Sequence, residues 1–418
     1  MARVRAGLAA LGAVLAVVCA ACAGEDDVVE PVASRQCAPL LYEGDSEPDV
    51  IIVSDLPRRG IGAETAELMI GAIEFVLREH GFAAGERRIG YQACNDTVGE
   101  EPFDPSLCRR NAHAYVETPS VLGVIGPWNS GCAYEQLPIV SRLDAGPLAM
   151  ISPSNTNVEL TRDEAFSRDG VRSYARVVAH DAVQGAAAAH LARRLGARRA
   201  VVLRATSDRD YVDTLVAPFE AAARELRLET RRIRWPFQKS YDDLAASVAA
   251  ARPDVVYLAG LSQNNGKKLV EDLRAVVPRD VRLIAPDAFA HSAVARGLGP
   301  AGEGMLVTSA GLPPELLPPA GKRFVRDFGG SITDPAFLGA PEAAQATELL
   351  LDAIARSDGT RTSVVEELFA SKVEDGILGS FAFDRYGDID PAPIGVYRFE
   401  GGRIVGHGVV STPSGPSR

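Results

Sequence analysis

From residue 49 onward, short runs of apolar and β-branched residues alternate with longer stretches whose apolar positions recur every three to four residues. The runs "DVIIVSD", "RRIGYQA", "VLGVIG", "PLAMIS", "RRAVVLRA", "LETRRIRW", "DVVYLAG", "VRLIAP" and "GMLVTS" predict strands. Most are nearly continuous rather than alternating, which is the pattern of parallel strands covered by helices on both faces. Between the first two, "ETAELMIGAIEFVLREH" has apolar residues at 68, 69, 72, 73, 76 and 77, a single helical stripe, with Glu64 and Glu67 near the N-terminus where the helix dipole favours them. Late in the chain, "APEAAQATELLLDAIARS" predicts a helix, and "GSFAFDRYGDIDPAPIGVYRFEGGRIV" predicts a strand, a Gly-Asp turn and a terminal hairpin.

The predicted strands fall into two groups of similar size, the first ending near "VRSYARVVAHD" and the second opening with "GAAAAHLARRLGARRAVVL". No low-complexity linker separates them. The pattern therefore predicts an α/β protein of two Rossmann-like lobes, joined by several short crossings, with a cleft between them.

The N-terminus stands outside this pattern. "MARVRAGLAALGAVLAVVCAAC" has two arginines, an apolar run from Ala6 to Val18 and then small residues, which reads as a secretory signal over residues 1–21. The run is shorter than the roughly 20 residues a membrane span needs. Ala20 and Ala21 directly before Cys22 resemble the bacterial lipoprotein cleavage box, although Cys19 stands where such boxes usually carry Leu. That resemblance implies lipidation of Cys22, and an anchor and tether over residues 22–48, where "AGEDDVVEPVASRQ" is acidic and poor in core residues.

Charge narrows the partners. Losing residues 1–21 removes two arginines and takes the formal charge from −11 to −13, and an acidic chain with no basic run is a poor nucleic-acid binder. Beyond Cys19 and Cys22 there are four cysteines, Cys37, Cys94, Cys108 and Cys132. An exported chain meets an oxidising compartment, so paired thiols are expected. Three connectivities are open; Cys94 with Cys108 is the first choice because it would close the loop "NDTVGEEPFDPSL". With no CxxC and scattered histidines, no metal site is predicted, and no cofactor. "GIGAET" after the first strand approaches a dinucleotide fingerprint, but Thr65 stands in place of the third glycine, and no enzymatic activity is expected.

The stretch "MISPSNTN" runs from an apolar strand into Ser152, Ser154 and Thr156, with Pro153 breaking the backbone between them. Such a loop leaves hydroxyls and N–H groups free for a polar partner. The same residue types also build a simple turn and helix cap.

Five stretches, "GVIGPWNSG" at 123–131, "PLAMISPSNTNVELT" at 147–161, "RPDVVYLAG" at 252–260, "GEGMLVT" at 302–308 and "GSFAFDRYGD" at 379–388, occur in one order that resembles the type I periplasmic binding proteins, in particular the leucine/isoleucine/valine-binding branch that serves ABC transporters. The resemblance covers nearly all of residues 49–410. It implies two lobes with three crossover hinges, an N-terminal lobe of 49–177 plus 309–380 and a C-terminal lobe of 178–308 plus 381–410. It also implies a monomer, anchored on the extracytoplasmic face of the membrane, that captures a small molecule and hands it to an ABC permease complex. The same fold also serves as a sensor module reporting to a receptor, and the sequence does not separate the two.

Family members bind a free amino acid between the lobes, and both of its charges must be matched when it leaves water. By resemblance, Ser130 takes the carboxylate with the backbone at Ser130 and Gly131, where the helix "CAYEQLPIVSRL" begins. Ser154 offers backbone groups and Thr156 its hydroxyl, Asp287 accepts the ammonium, and Tyr211 closes from the second lobe. Trp128 is a wall of the pocket or a packed core residue. Leu261 stands where branched-chain binders often place an aromatic, and Arg58 and Arg59 are unusual in the first loop. Facing the cleft, those arginines would favour an anionic ligand; facing out, they are solvated surface charges.

Overall fold

The computed structural model describes residues 29–141, 146–168, 170–329 and 339–412. One sheet has the strand order Ala83–Ala84, Arg87–Asn95, Val50–Leu56, Val121–Ile125, Ala149–Ser152, Tyr174–Arg176, parallel except at the short outer strand. All nine predicted strands are present. Tyr174–Arg176, read from the pattern only as the end of the first group, is the sixth strand of this sheet and forms its inner edge.

The near-continuous apolar run of the first strand is explained by its two faces. Ile52 and Leu56 pack with the helices Ala63–Glu79 and Ala340–Arg356, whereas Ile51 and Val53 pack with Pro105–Glu117 and Ser130–Val140. Both alternating sets are buried, so no polar position is needed.

The second sheet has the order Glu229–Trp235, Arg199–Ala205, Val255–Ala259, Arg282–Ala285, Leu306–Ser309, Ile394–Glu400, Arg403–Val410, with the last two strands antiparallel. Glu229–Trp235 is the free edge, which is why a strand rich in arginine is tolerated: five of its seven residues are exposed. The chain passes between the lobes at 177–180, 310–313 and 391–393. The third passage corrects the expected boundary, because Phe381 and Ile389, assigned above to the second lobe, lie in the core of the first. The antiparallel strands Lys372–Gly376, Gly379–Phe383 and Ile389–Asp390 form a small sheet of their own.

The expected disulfide and the expected tether are also corrected. Cys94 and Cys108 are both oxidised but not to each other: the pairs are Cys37–Cys94 and Cys108–Cys132. The loop between Cys94 and Cys108 is closed without a crosslink, by Asp104 N–H donating to the Asp96 carbonyl at 2.8 Å and by the Asp104 side chain capping Leu107 N–H at 2.6 Å. From residue 29 on, the supposed tether is part of the first lobe. Val32 is buried, its N–H donates to Gln92 at 2.7 Å, the Gln92 amide donates to the Ala38 carbonyl at 3.0 Å, and Leu41 bridges to Tyr91. Cys22 and the signal lie outside the described residues. Among the described residues, no helix is long and apolar enough to cross a membrane.

Candidate functional site

The loops at the C-terminal ends of the two sheets meet each other. Asp181 N–H, at the start of the helix Asp181–Arg194, donates to the Thr156 carbonyl at 2.9 Å, and Tyr134 of the first lobe is close enough to Asp210 of the second to feel its charge.

On the first lobe, the helix Ser130–Val140 points its N-terminus at this junction. Asn129 caps it, accepting the Gly131 N–H on its side chain at 2.8 Å and the Cys132 N–H on its carbonyl at 3.0 Å. Gly131 is therefore committed to its own cap, and the Phe103 ring lies where a Cβ at Gly131 would project. Among the described residues, the Ser130 amide and hydroxyl make no hydrogen bond, so the first lobe offers both, with the positive end of the helix behind them.

The polar loop after Ala149–Ser152 does something different from what its residue types suggest. The Ser152 hydroxyl donates to the Pro127 carbonyl at 3.0 Å and accepts N–H groups of Ser154 and Asn155 at 3.2 and 3.0 Å. The Ser154 hydroxyl and Asn155 amide both donate to the Trp128 carbonyl, at 2.8 and 2.9 Å. These groups lock one loop onto the loop 126–129 beside it. Ser154 thus has neither its N–H nor its hydroxyl free, and the Thr156 carbonyl is taken by the Asp181 N–H. Trp128 is half-buried and packs against the N-terminal end of Ala63–Glu79, where a Cβ on Gly62 (φ 93°) would lie 2.9 Å from its ring. Arg58, in the loop before Ala63–Glu79, pairs with Glu67 of that helix at 3.6 Å, and Arg59 is exposed.

On the second lobe, Asp287 follows Arg282–Ala285 and accepts the Tyr211 hydroxyl at 2.9 Å and the Ala288 N–H at 3.0 Å on one oxygen. Burial raises its carboxyl above the usual range, against the hydrogen bonds from Tyr211, Gln184 and Ala288. Beside it, Asp181 is raised well above, first by burial and then by the charge of Asp287. One Asp181 oxygen, the Tyr257 hydroxyl and the Gln184 carbonyl oxygen are buried without a partner. No cation of the described chain pairs with either carboxylate: the Arg176 guanidinium is held by Asp388 at 2.6 Å, the carbonyls of Asn155 and Asn157, and Thr161. Leu261, half-buried, lies in the loop after Val255–Ala259 and accepts the Asn264 N–H at 3.1 Å.

Of the expected residues, Asp287 and Tyr211 are in direct contact, and Ser130 has free donors; Gly131, Ser154 and Thr156 are engaged within the protein. Asp181, Asn129 and Phe103 were missed. Asn129 before a helix and Asp181 in "AHDAVQG" carried readable capping signals; Phe103 carried none. The one cluster of metal-ligand types among the described residues, Asp96, Cys108 and Cys132, has both sulfurs in a disulfide and so no thiolate to offer.

The periplasmic binding protein family model matches residues 60–400. The chain belongs to that family. Solved structures of similar fold include a leucine-binding protein of Thermotoga maritima (23% identity, TM-score 0.69, covering 86% of this chain and 98% of that one). An ABC transporter substrate-binding protein of Desulfitobacterium hafniense in complex with Leu is similar over 86% of this chain and 99% of that one (21% identity, TM-score 0.70). A solute-binding protein of R. palustris in complex with benzoate is similar over 87% and 98% (18% identity, TM-score 0.66). None of the curated proteins compared matches the sequence. As a periplasmic binding protein, the chain has two lobes joined by three passages.

Proposed function

We propose that this periplasmic binding protein is an extracytoplasmic lipoprotein, anchored through Cys22, that captures a free amino acid between its lobes and presents it to an ABC permease complex. One observation carries the ligand class: the first lobe offers unpaired donors at a helix N-terminus, Ser130 N–H and hydroxyl, while the second offers buried carboxylates with no cation of their own, Asp287 and Asp181. A zwitterion satisfies both walls at once, its carboxylate at Ser130 and its ammonium at Asp287. A simple anion would meet Asp287 and Asp181 unpaired. Arg58, paired with Glu67, gives an anionic ligand no support.

Capture is the closure of two lobes around a ligand that both contact, so occupancy favours the closed arrangement. Isothermal titration with the common amino acids, leucine first, tests the reading. A charge-assisted bond is worth about 1.5–3 kcal/mol, so Asp287→Asn should weaken the binding amino acid by roughly 10- to 150-fold, and Ser130→Ala somewhat less. Unchanged affinity in both variants would remove the site assignment; no binding by any amino acid would remove the ligand class.

A further inference from the structure

All three interlobe passages line one cavity of about 240 Å³. Val177 contributes from the first, Leu312 from the second and Pro393 from the third, and Phe381 belongs to its wall. None of the residues of the Ser130 and Asp287 site lines it. Its lining is largely apolar and carries a single ionisable side chain, Glu342, at the start of Ala340–Arg356. The Glu342 carboxyl is buried, and Gly339 N–H donates to one of its oxygens at 2.8 Å. No cation of the described residues pairs with it, and burial brings it to about 7, close to the point where an arriving cation would ionise it. An apolar cavity of roughly 150 Å³ holds benzene, so this one has room for a single ring and a short polar arm.

We propose that this hinge cavity is a second ligand site, taking a small apolar molecule with one amine, whose ammonium meets Glu342 while its body packs against Phe381 and the three passages. Desolvation makes such a charge-assisted bond strong, and an ammonium matches the one carboxyl present. The walls are the segments whose dihedral angles change when the lobes close, so the cavity cannot keep one shape in both arrangements. An occupant that fits one shape better shifts the equilibrium toward it and so couples to the cleft. Occupancy of the cavity does not rest on the amino-acid reading of the cleft; the coupling does rest on lobe closure.

Benzylamine is the probe, titrated calorimetrically into the purified chain with no amino acid added. Saturable one-site binding is expected. It should weaken at least tenfold in Glu342→Gln, whose amide oxygen still accepts the Gly339 N–H and so keeps the helix start intact. Benzyl alcohol should bind wild type at least tenfold more weakly than benzylamine. Ser380→Trp, a substitution at an exposed residue of the lining, should fill the cavity and abolish binding while the thermal unfolding of the free protein stays cooperative. Small-angle scattering at saturation should show a changed radius of gyration. Absence of saturable binding to wild type, or equal binding in Glu342→Gln and Ser380→Trp, overturns the site. Binding with an unchanged radius of gyration overturns the coupling. Benzylamine binding together with failure of every amino acid would overturn the cleft assignment and leave this one standing.

Discussion

Removing Cys37 should cost more stability than removing Cys108, and neither loss should expose the other pair. The two crosslinks span 57 and 24 residues. Loop-closure entropy in the unfolded chain then gives about 4 kcal/mol for Cys37–Cys94 and about 3 kcal/mol for Cys108–Cys132. If the first lobe unfolds as a unit of roughly 200 residues, 4 kcal/mol lowers its midpoint by about 10 °C, and by about half that if both lobes unfold together. The assay is differential scanning calorimetry of Cys37→Ser with Cys94→Ser, and of Cys108→Ser with Cys132→Ser, with peptide mapping of the remaining crosslink. The second double variant should also lose affinity in the cleft, because that bridge joins Pro105–Glu117 to the helix that begins at Ser130. The reasoning fails if mapping of wild type finds Cys94 joined to Cys108, or if the Cys37 and Cys94 variant melts at the wild-type temperature.

Three further outcomes follow from the same structure. Gly131→Ala should destabilise by about 1–3 kcal/mol in urea and weaken the binding amino acid, since its Cβ enters the Phe103 ring; unchanged stability and affinity would mean that Phe103 can move aside. Asp388→Asn should cost about 3–5 kcal/mol, because it leaves the fully buried Arg176 without its carboxylate and breaks the links to Arg162 and Thr161; a loss under 1 kcal/mol in urea unfolding would count against this network. Glu342 is raised from 4.5 to about 7 by burial, so the native state holds a proton that the unfolded chain releases; its contribution is full below about pH 4.5 and is lost as pH rises through 7, a change of about 3 kcal/mol. Glu342→Gln should flatten that part of the stability profile, and an identical profile would refute the assignment.

The inner strands were legible because helices cover both faces of each sheet and most residues of a run are apolar, as Ile51 and Ile52 illustrate. Tyr174–Arg176 was not, since a three-residue strand ending in a buried arginine has no such run; its arginine is neutralised by Asp388, 212 residues away. Asp287 and Tyr211, expected from their position in the family pattern, touch each other in the structure, a contact between residues 76 positions apart that local sequence does not show. The serines of "ISPSNTN" were legible as polar loop residues only. Whether a hydroxyl meets a ligand or a neighbouring carbonyl depends on where the loop 126–129 lies, which local sequence does not encode. The acidic composition of residues 23–36 hid the few apolar residues, Val32 above all, that dock this segment, and with them the partner of Cys94.

The arrangement of cysteines also bears on the order of events during export. All four core cysteines lie within the first 132 residues, while the lobe they staple needs helices and strands up to residue 390 to be complete. Cys94 emerges with Cys37 already behind it and meets Cys108 only fourteen residues later, long before Ala340–Arg356 arrives to cover the sheet. The native pairs are also the consecutive ones, so a chain oxidised as it emerges can join Cys37 to Cys94 and then Cys108 to Cys132 without exchanging them, whereas the second lobe, which has no cysteine, matures without any such step. Yield of this protein should follow the host's capacity to form disulfides as the chain emerges rather than its capacity to reshuffle them.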